Sequence, residues 1–144
     1  MKIVINRCFG GFSISVKAAE MMAKLGDKQA AKELSEWKKE QEWLNYFKEK
    51  GKWPKDCPKD KIGFLKILAK YNSPATFHGY GYVDGFDGGY SRTSESLVKA
   101  VEKLGKAASG LHASLEVVEI PDNIDYYIDD YDGNESVHEN HRSW

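Results

Sequence analysis

Arginine is scarce in this sequence, and each copy stands where a guanidinium could bind an anion. Only Arg7, Arg92 and Arg142 are arginine among the 21 Lys and Arg of the 144-residue chain. A guanidinium binds phosphate or carboxylate through a rigid two-pronged set of donors that lysine lacks. Arg92 and Thr93 also precede a predicted helix, whose free first-turn amides attract anions. If the three arginines converge, they form a phosphate or nucleotide pocket, and Arg92→Ala is expected to abolish binding with little change in melting temperature.

Aromatic rings for such a pocket are concentrated in a turn-rich segment, residues 72–90. Tyr82 and Tyr90 are the rings that we expect to stack on a nucleobase, because aromatic faces stack on bases of any sequence. The glycines of this segment do not follow the GxGxxG spacing of a phosphate-binding loop. An irregular loop or a short edge hairpin around Asp84 and Gly85 is the alternative interpretation.

Acidic residues crowd the C-terminal part of the chain and offer the arginines another role. The run from Asp122 to Glu139 could form ion pairs with the arginines, which would make them structural. His138 and His141 lie within or beside this run, and we assign both to the ligand site. The two histidines could hold zinc only with help from elsewhere. We predict no bound metal, because the nearest likeness to a calcium loop has Ile128 at its first ligand position.

The sequence contains no nucleophile elbow, Walker loop or HExxH motif, so we expect a protein without catalytic activity or cofactor. Carboxylate–histidine pairs near the C-terminus keep a hydrolase as the alternative. Cys8 and Cys57 are too few and too far apart for a disulfide framework and lack zinc-ligand spacing. We therefore expect a cytoplasmic protein in which Cys8 is simply packed.

Charge is divided between the two halves of the chain, although its formal net charge is −1. Residues 1–70 carry 16 Lys and Arg against 9 Asp and Glu, and residues 71–144 carry 5 against 13. Two halves that pack together would partly neutralise each other's charge, and a basic binding face or an acidic tail is the alternative. The acidic half would repel a DNA backbone, so we expect no sequence-specific nucleic-acid partner. We expect no membrane partner, because no apolar run approaches the roughly 18 residues of a membrane span.

Apolar spacing predicts one α+β domain over residues 1–144, with a small, mainly antiparallel sheet covered by about four helices. The two strands that follow the last long helix are expected to pair with each other. We interpret residues 27–89 as a variable insertion. The predicted helices span 16–26 (capped by Ser13 or Ser15), 27–50, 62–71, 94–109 and 135–141, and the predicted strands span 3–5, 115–120 and 124–131.

Three segments resemble a family of small proteins encoded by bacteriophages and prophages, whose activity is unassigned. They are INRCFGGFSIS (5–15), SRTSESLVKAVEKLGKAASG (91–110) and VVEIPDNIDYYIDDYDGNESVHENHRSW (117–144). The resemblance implies a phage accessory protein that acts in the cytoplasm of the bacterial host. Many proteins of this kind blunt host defence, some of them by sequestering nucleotide signals.

The leading functional prediction is therefore a counter-defence protein that binds and sequesters a phosphate-bearing host ligand, such as a nucleotide immune signal. A hydrolase of a phosphorylated small molecule is one alternative. A protein–protein inhibitor of a host defence factor is another, and it would use the tryptophans of the second helix, Trp37 and Trp43. A homo-oligomer is included among the expected assemblies, because a pocket can be shared between subunits.

Overall fold

The computed structural model describes residues 1–9, 11–73, 77 and 91–139. These ranges contain four α-helices and two two-stranded antiparallel sheets, which confirms the predicted α+β fold. The strands are β1 (Lys2–Asn6), β2 (Leu115–Glu119), β3 (Tyr126–Tyr131) and β4 (Asn134–Glu139). The helices are α1 (Val16–Lys24), α2 (Lys28–Lys50), α3 (Lys59–Lys70) and α4 (Glu95–Leu104), and a 3-10 segment, Gly105–Ala108, continues α4. The single domain and the variable insertion at 27–89 stay predictions.

The ends of α1 and α2 follow from local side-chain chemistry. Ser15 caps α1, since its hydroxyl accepts a hydrogen bond from the amide of Ala18 at 3.1 Å. Asp27 caps α2 in the same way, accepting from the amide of Ala30 at 3.1 Å. Gly51 ends α2 with φ +73°, a left-handed conformation that glycine adopts without a steric penalty. These boundaries confirm the predicted starts and stop.

The predicted pairing between the strands around 115–120 and 124–131 is wrong. β2 pairs instead with β1, and Val4 lies opposite Val117 in an antiparallel register. Ile3, Val4 and Ile5 are all 0% exposed, so β1 needs a partner strand and cover on both faces. Burial of the apolar Ile3–Ile5 segment of β1 therefore favours pairing with β2 over the short hairpin connection that would have joined β2 to β3.

The predicted short helix over 135–141 is also wrong over its described part. Asn134–Glu139 forms β4, which pairs antiparallel with β3. Asp132 and Gly133 have φ values of +53° and +90°, the left-handed pair required by a two-residue hairpin turn. The Asp-Gly dipeptide therefore connects two paired strands, whereas the sequence predicted that it ends a single strand.

Two apolar clusters hold the described residues together. The larger cluster joins β1, α1, α4 and the first half of α2, and includes Val4, Met22, Leu34 and Leu97. The smaller cluster lies between the second half of α2 and α3; its buried members are Trp43, Leu44, Cys57 and Leu65. No helix within the described ranges is both long and apolar enough to cross a membrane.

Candidate functional site

A buried ion pair joins the β3–β4 hairpin to the rest of the protein. Both terminal guanidinium nitrogens of Arg92 donate to the carboxylate of Glu135, Nη2 to Oε2 at 2.6 Å and Nη1 to Oε1 at 2.8 Å. The two side chains are only 11% and 6% exposed. Nη1 also donates to the carbonyl of Val4 at 3.3 Å, and the guanidinium lies 5.6 Å from the centre of the Phe12 ring. Water is thus largely replaced by protein donors, acceptors and an aromatic face.

Asn6 extends this buried network into the first sheet. Its backbone amide donates to Glu135 Oε1 at 2.8 Å. Its side-chain Nδ2 donates to the carbonyls of Cys8 and Gly133 at 2.8 and 2.7 Å, and its Oδ1 accepts from the amide of Ser114 at 2.8 Å. Asn6 is 0% exposed, yet both donors and the acceptor of its side chain are paired. The network therefore holds β1, the start of β2 and the hairpin turn together.

Arg7 contacts Glu135 of β4 from the surface. Its Nε donates to Glu116 Oε2 at 3.1 Å, and its Nη1 donates to the backbone carbonyl of Glu135 at 3.3 Å. The structure thus brings Arg7 and Arg92 together at Glu135, one at its carbonyl and one at its carboxylate. For Arg92 this is the ion pair with the Asp122–Glu139 run that the sequence offered as an alternative, whereas the carboxylate partner of Arg7, Glu116, lies outside that run. Whether a ligand also binds there stays a prediction.

The other predicted ligand-binding residues do not join this cluster in the described ranges. Thr93 is exposed and lines a small cavity described below. His138 lies on β4, with Nε2 2.8 Å from the hydroxyl of Ser136 and its ring stacked on Tyr127 at 5.3 Å. Four predicted residues lie outside the described residues: Tyr82, Tyr90, His141 and Arg142.

A groove between α1 and α4 has a volume of about 840 Å³ and was not predicted from the sequence. Its apolar lining comes from Met21, Leu25 and Leu104, and Leu25 is 49% exposed. Its charged lining comprises four lysines and two glutamates, namely Lys17, Lys24, Lys99, Lys103, Glu20 and Glu102. Volumes of about 300–1,000 Å³ with apolar walls and a few polar groups are typical of small-molecule sites.

Thr93 lines a second cavity of about 340 Å³ at the N-terminal end of α4. Lys99 and Glu102 line both cavities, so the two are neighbours along one face of α4. Several of the charges here are already paired. Lys2 donates to Glu102 at 2.8 Å, which raises the pKa of the lysine, and Lys99 lies 2.9 Å from Glu95, which lowers the pKa of that carboxyl.

Lys17, Lys24 and Lys103 form no ion pair with any other described residue. Three unpaired ammonium groups beside an apolar floor give the groove a positive rim, with Glu20 as the unpaired opposing charge. The groove is therefore suited to an anion that carries an apolar part. One sequence signal could have pointed to it: Lys17 and Lys24 are seven residues apart on α1, with Met21 between them on the same face.

The described residues contain no group of three or more His, Cys, Asp or Glu placed to hold a metal ion. Trp43 is buried in the smaller cluster, and the ring of Trp37 packs edge-on against Phe77 at 5.8 Å. The tryptophans proposed as a partner surface thus contact the protein itself.

These features define a small α+β protein with a buried Arg–Glu link and a lysine-rimmed helical groove. No protein-family model, no curated protein and no solved structure matches the chain.

Proposed function

We propose that the protein binds a phosphate-bearing small molecule in the α1–α4 groove and sequesters it unchanged. The observation that carries this proposal is a set of three lysines around an apolar floor, Lys17, Lys24 and Lys103, none of which pairs with another described residue. A nucleotide combines both complementary features, since its base is largely apolar on its faces and its phosphates are anionic. Lysine is a common phosphate ligand, acting as a compact point charge with rotatable donors.

The groove supports this proposal better than the arginines do. Arg92 already binds a carboxylate through both terminal nitrogens, so a phosphate would have to displace Glu135 from a buried site. Such a displacement would leave that carboxylate buried without its partner, which is costly. Lys24 and Lys103 carry no such competitor among the described residues. Thr93, one of the predicted site residues, lines the neighbouring cavity.

Sequestration is favoured over hydrolysis by the chemistry of the groove lining. The described residues that line it are lysine, glutamate, methionine and leucine, and none of these carries a hydroxyl, thiol or imidazole nucleophile. Of the described lining residues, only Glu20 and Glu102 have the acceptor chemistry of a general base, and Glu102 is paired with Lys2. The resemblance to phage proteins supplies the proposed setting: a counter-defence protein in the host cytoplasm, with a nucleotide immune signal as the first ligand to test.

The test measures thermal unfolding against a panel of nucleotides, cyclic oligonucleotides and ADP-ribose derivatives. A ligand that binds only the folded state adds about 2.7 kcal/mol of stability at a hundredfold excess over its Kd. Lys24→Glu and Lys103→Glu should each reduce that gain, whereas Lys66→Glu, an equal charge change on α3 outside the groove, should keep it.

Mass spectrometry of the ligand released by denaturation separates the two chemical outcomes. Intact ligand supports sequestration, and altered ligand supports the hydrolase alternative. An equal loss of affinity in all three lysine variants would mean that net charge, and not the groove, determines binding. A panel without any stabilising ligand would overturn the proposal.

A further inference from the structure

The β3–β4 hairpin presents an aromatic face to solvent. Side chains alternate between the two faces of a strand, so Tyr127, Asp129 and Tyr131 share one face of β3. The opposite face carries Ile128, which lies across from Val137 and is half-buried. The outward residues remain accessible: Tyr127 is 48% exposed and Tyr131 is 76% exposed.

A third ring from the other end of the chain enlarges this face. Phe9, which is 56% exposed, lies edge-on to Tyr131 with 6.1 Å between ring centres. Tyr127 stacks on His138 across the hairpin. Large apolar rings that remain exposed side by side are characteristic of interaction surfaces. Phe9, Tyr127, Asp129 and Tyr131 are together called the hairpin face below.

Charge determines what kind of partner this face can accept. Between Lys106 and Arg142 the sequence has no Lys or Arg. Four carboxylates on or beside β3 form no ion pair with a described residue: Asp125, Asp129, Asp130 and Asp132. Exposed rings can stack on bases or accept cations, but carboxylates repel phosphate. These carboxylates therefore favour a cationic partner over a nucleic acid.

The backbone adds a second requirement to the charge. β3 is hydrogen-bonded to β4 along one edge, and no strand among the described residues pairs with its other edge. An unpaired edge can accept an extended peptide as an additional strand. A second copy of the same acidic edge would be repelled. We propose that the hairpin face docks an extended, arginine- and lysine-rich segment of a partner protein along β3.

The test uses a defined probe, a fluorescent nonapeptide in which arginine alternates with threonine, and measures its Kd by anisotropy. Tyr131→Thr removes the most exposed ring while keeping a residue suited to a strand. We expect its Kd to rise about three- to fivefold, the size of one exposed cation–π contact. Asp129→Asn, as a separate substitution, should also weaken binding of the peptide and should reduce the dependence of its Kd on salt concentration.

Tyr71→Thr is the matched control, because Tyr71, the residue after α3, is 69% exposed and lies outside the hairpin face. It should bind the peptide as the unaltered protein does. A peptide with glutamate in place of arginine should not bind. Equal affinities for Tyr131→Thr and the unaltered protein, or preferred binding of a single-stranded oligonucleotide, would overturn the proposal. Melting temperatures of the variants verify that each is folded.

Discussion

Replacing Glu135 by alanine tests whether the buried ion pair holds the hairpin to the first sheet. The substitution leaves the guanidinium of Arg92 and the amide of Asn6 buried without the acceptor that each now uses. Removing one partner of a buried pair costs about 3–5 kcal/mol, since the remaining charge keeps its desolvation penalty. For a chain of 144 residues this corresponds to a fall in melting temperature of about 10–20 °C.

Urea unfolding followed by circular dichroism gives the free energy by linear extrapolation. Glu116→Ala is the matched control, because Glu116 also pairs with an arginine, at 3.1 Å, but both side chains are about half exposed. Exposed pairs contribute about 1 kcal/mol or less. The double substitution Arg92→Met with Glu135→Leu should recover much of the loss, as it removes both charges together. If Glu135→Ala costs no more than Glu116→Ala, the pair is not desolvated and the reasoning fails.

Three further outcomes follow from the described contacts. The buried indole N–H of Trp43 has no hydrogen-bond partner among the described residues, so Trp43→Phe should lower the free energy of unfolding in urea by about 1 kcal/mol or less. Leu44→Ala, at the neighbouring buried position, should lower it by about 2–5 kcal/mol. Equal losses of stability in the two variants would contradict this ranking. Burial raises the pKa of the Cys57 thiol and so lowers its thiolate fraction at a given pH. In a Cys8→Ser variant, where Cys57 is the remaining thiol, Ellman's reagent at pH 8 should therefore react only as the protein unfolds. Rapid labelling of the folded variant would refute this. Gly51→Ala should lower stability by about 1 kcal/mol, because φ is +73° there, and an unchanged melting temperature would show that the helix end relaxes.

Elements with strong local signals could be predicted from the sequence alone. Helix ends depend on groups that lie within a few residues of each other, so they can be predicted from local sequence. The caps at Ser15 and Asp27 and the helix end at Gly51 are examples. β4 was missed because its polar run was interpreted as a helix. The Asp132–Gly133 dipeptide was a hairpin signal, but the segment after it lacked an apolar alternation strong enough to mark a second strand.

Long-range partners could not be predicted in the same way. The sequence singled out Arg92 by its residue type, but its partner Glu135 is 43 positions away and shares the acidic cluster with six other carboxylates. Burial changes the expected effect of substituting Arg92: a large loss of stability replaces the expectation of a nearly constant melting temperature. The lysine groove depends on how α1 packs against α4, which neither helix reveals by itself.

The pairing of β1 with β2 has a consequence for how the chain emerges from the ribosome. The terminal ammonium of Met1 donates to the carbonyl of Ile120, a separation of 119 positions. At a synthesis rate of about 5–20 residues per second, the partner strand of β1 is completed about 6–24 s after β1 itself. Of the described elements that could cover the apolar Ile3–Ile5 during that interval, α1 is the first to be synthesised, and its Ala18 and Met22 lie in the same core cluster as Val4. We therefore expect early docking of α1 onto β1 to limit aggregation of the growing chain.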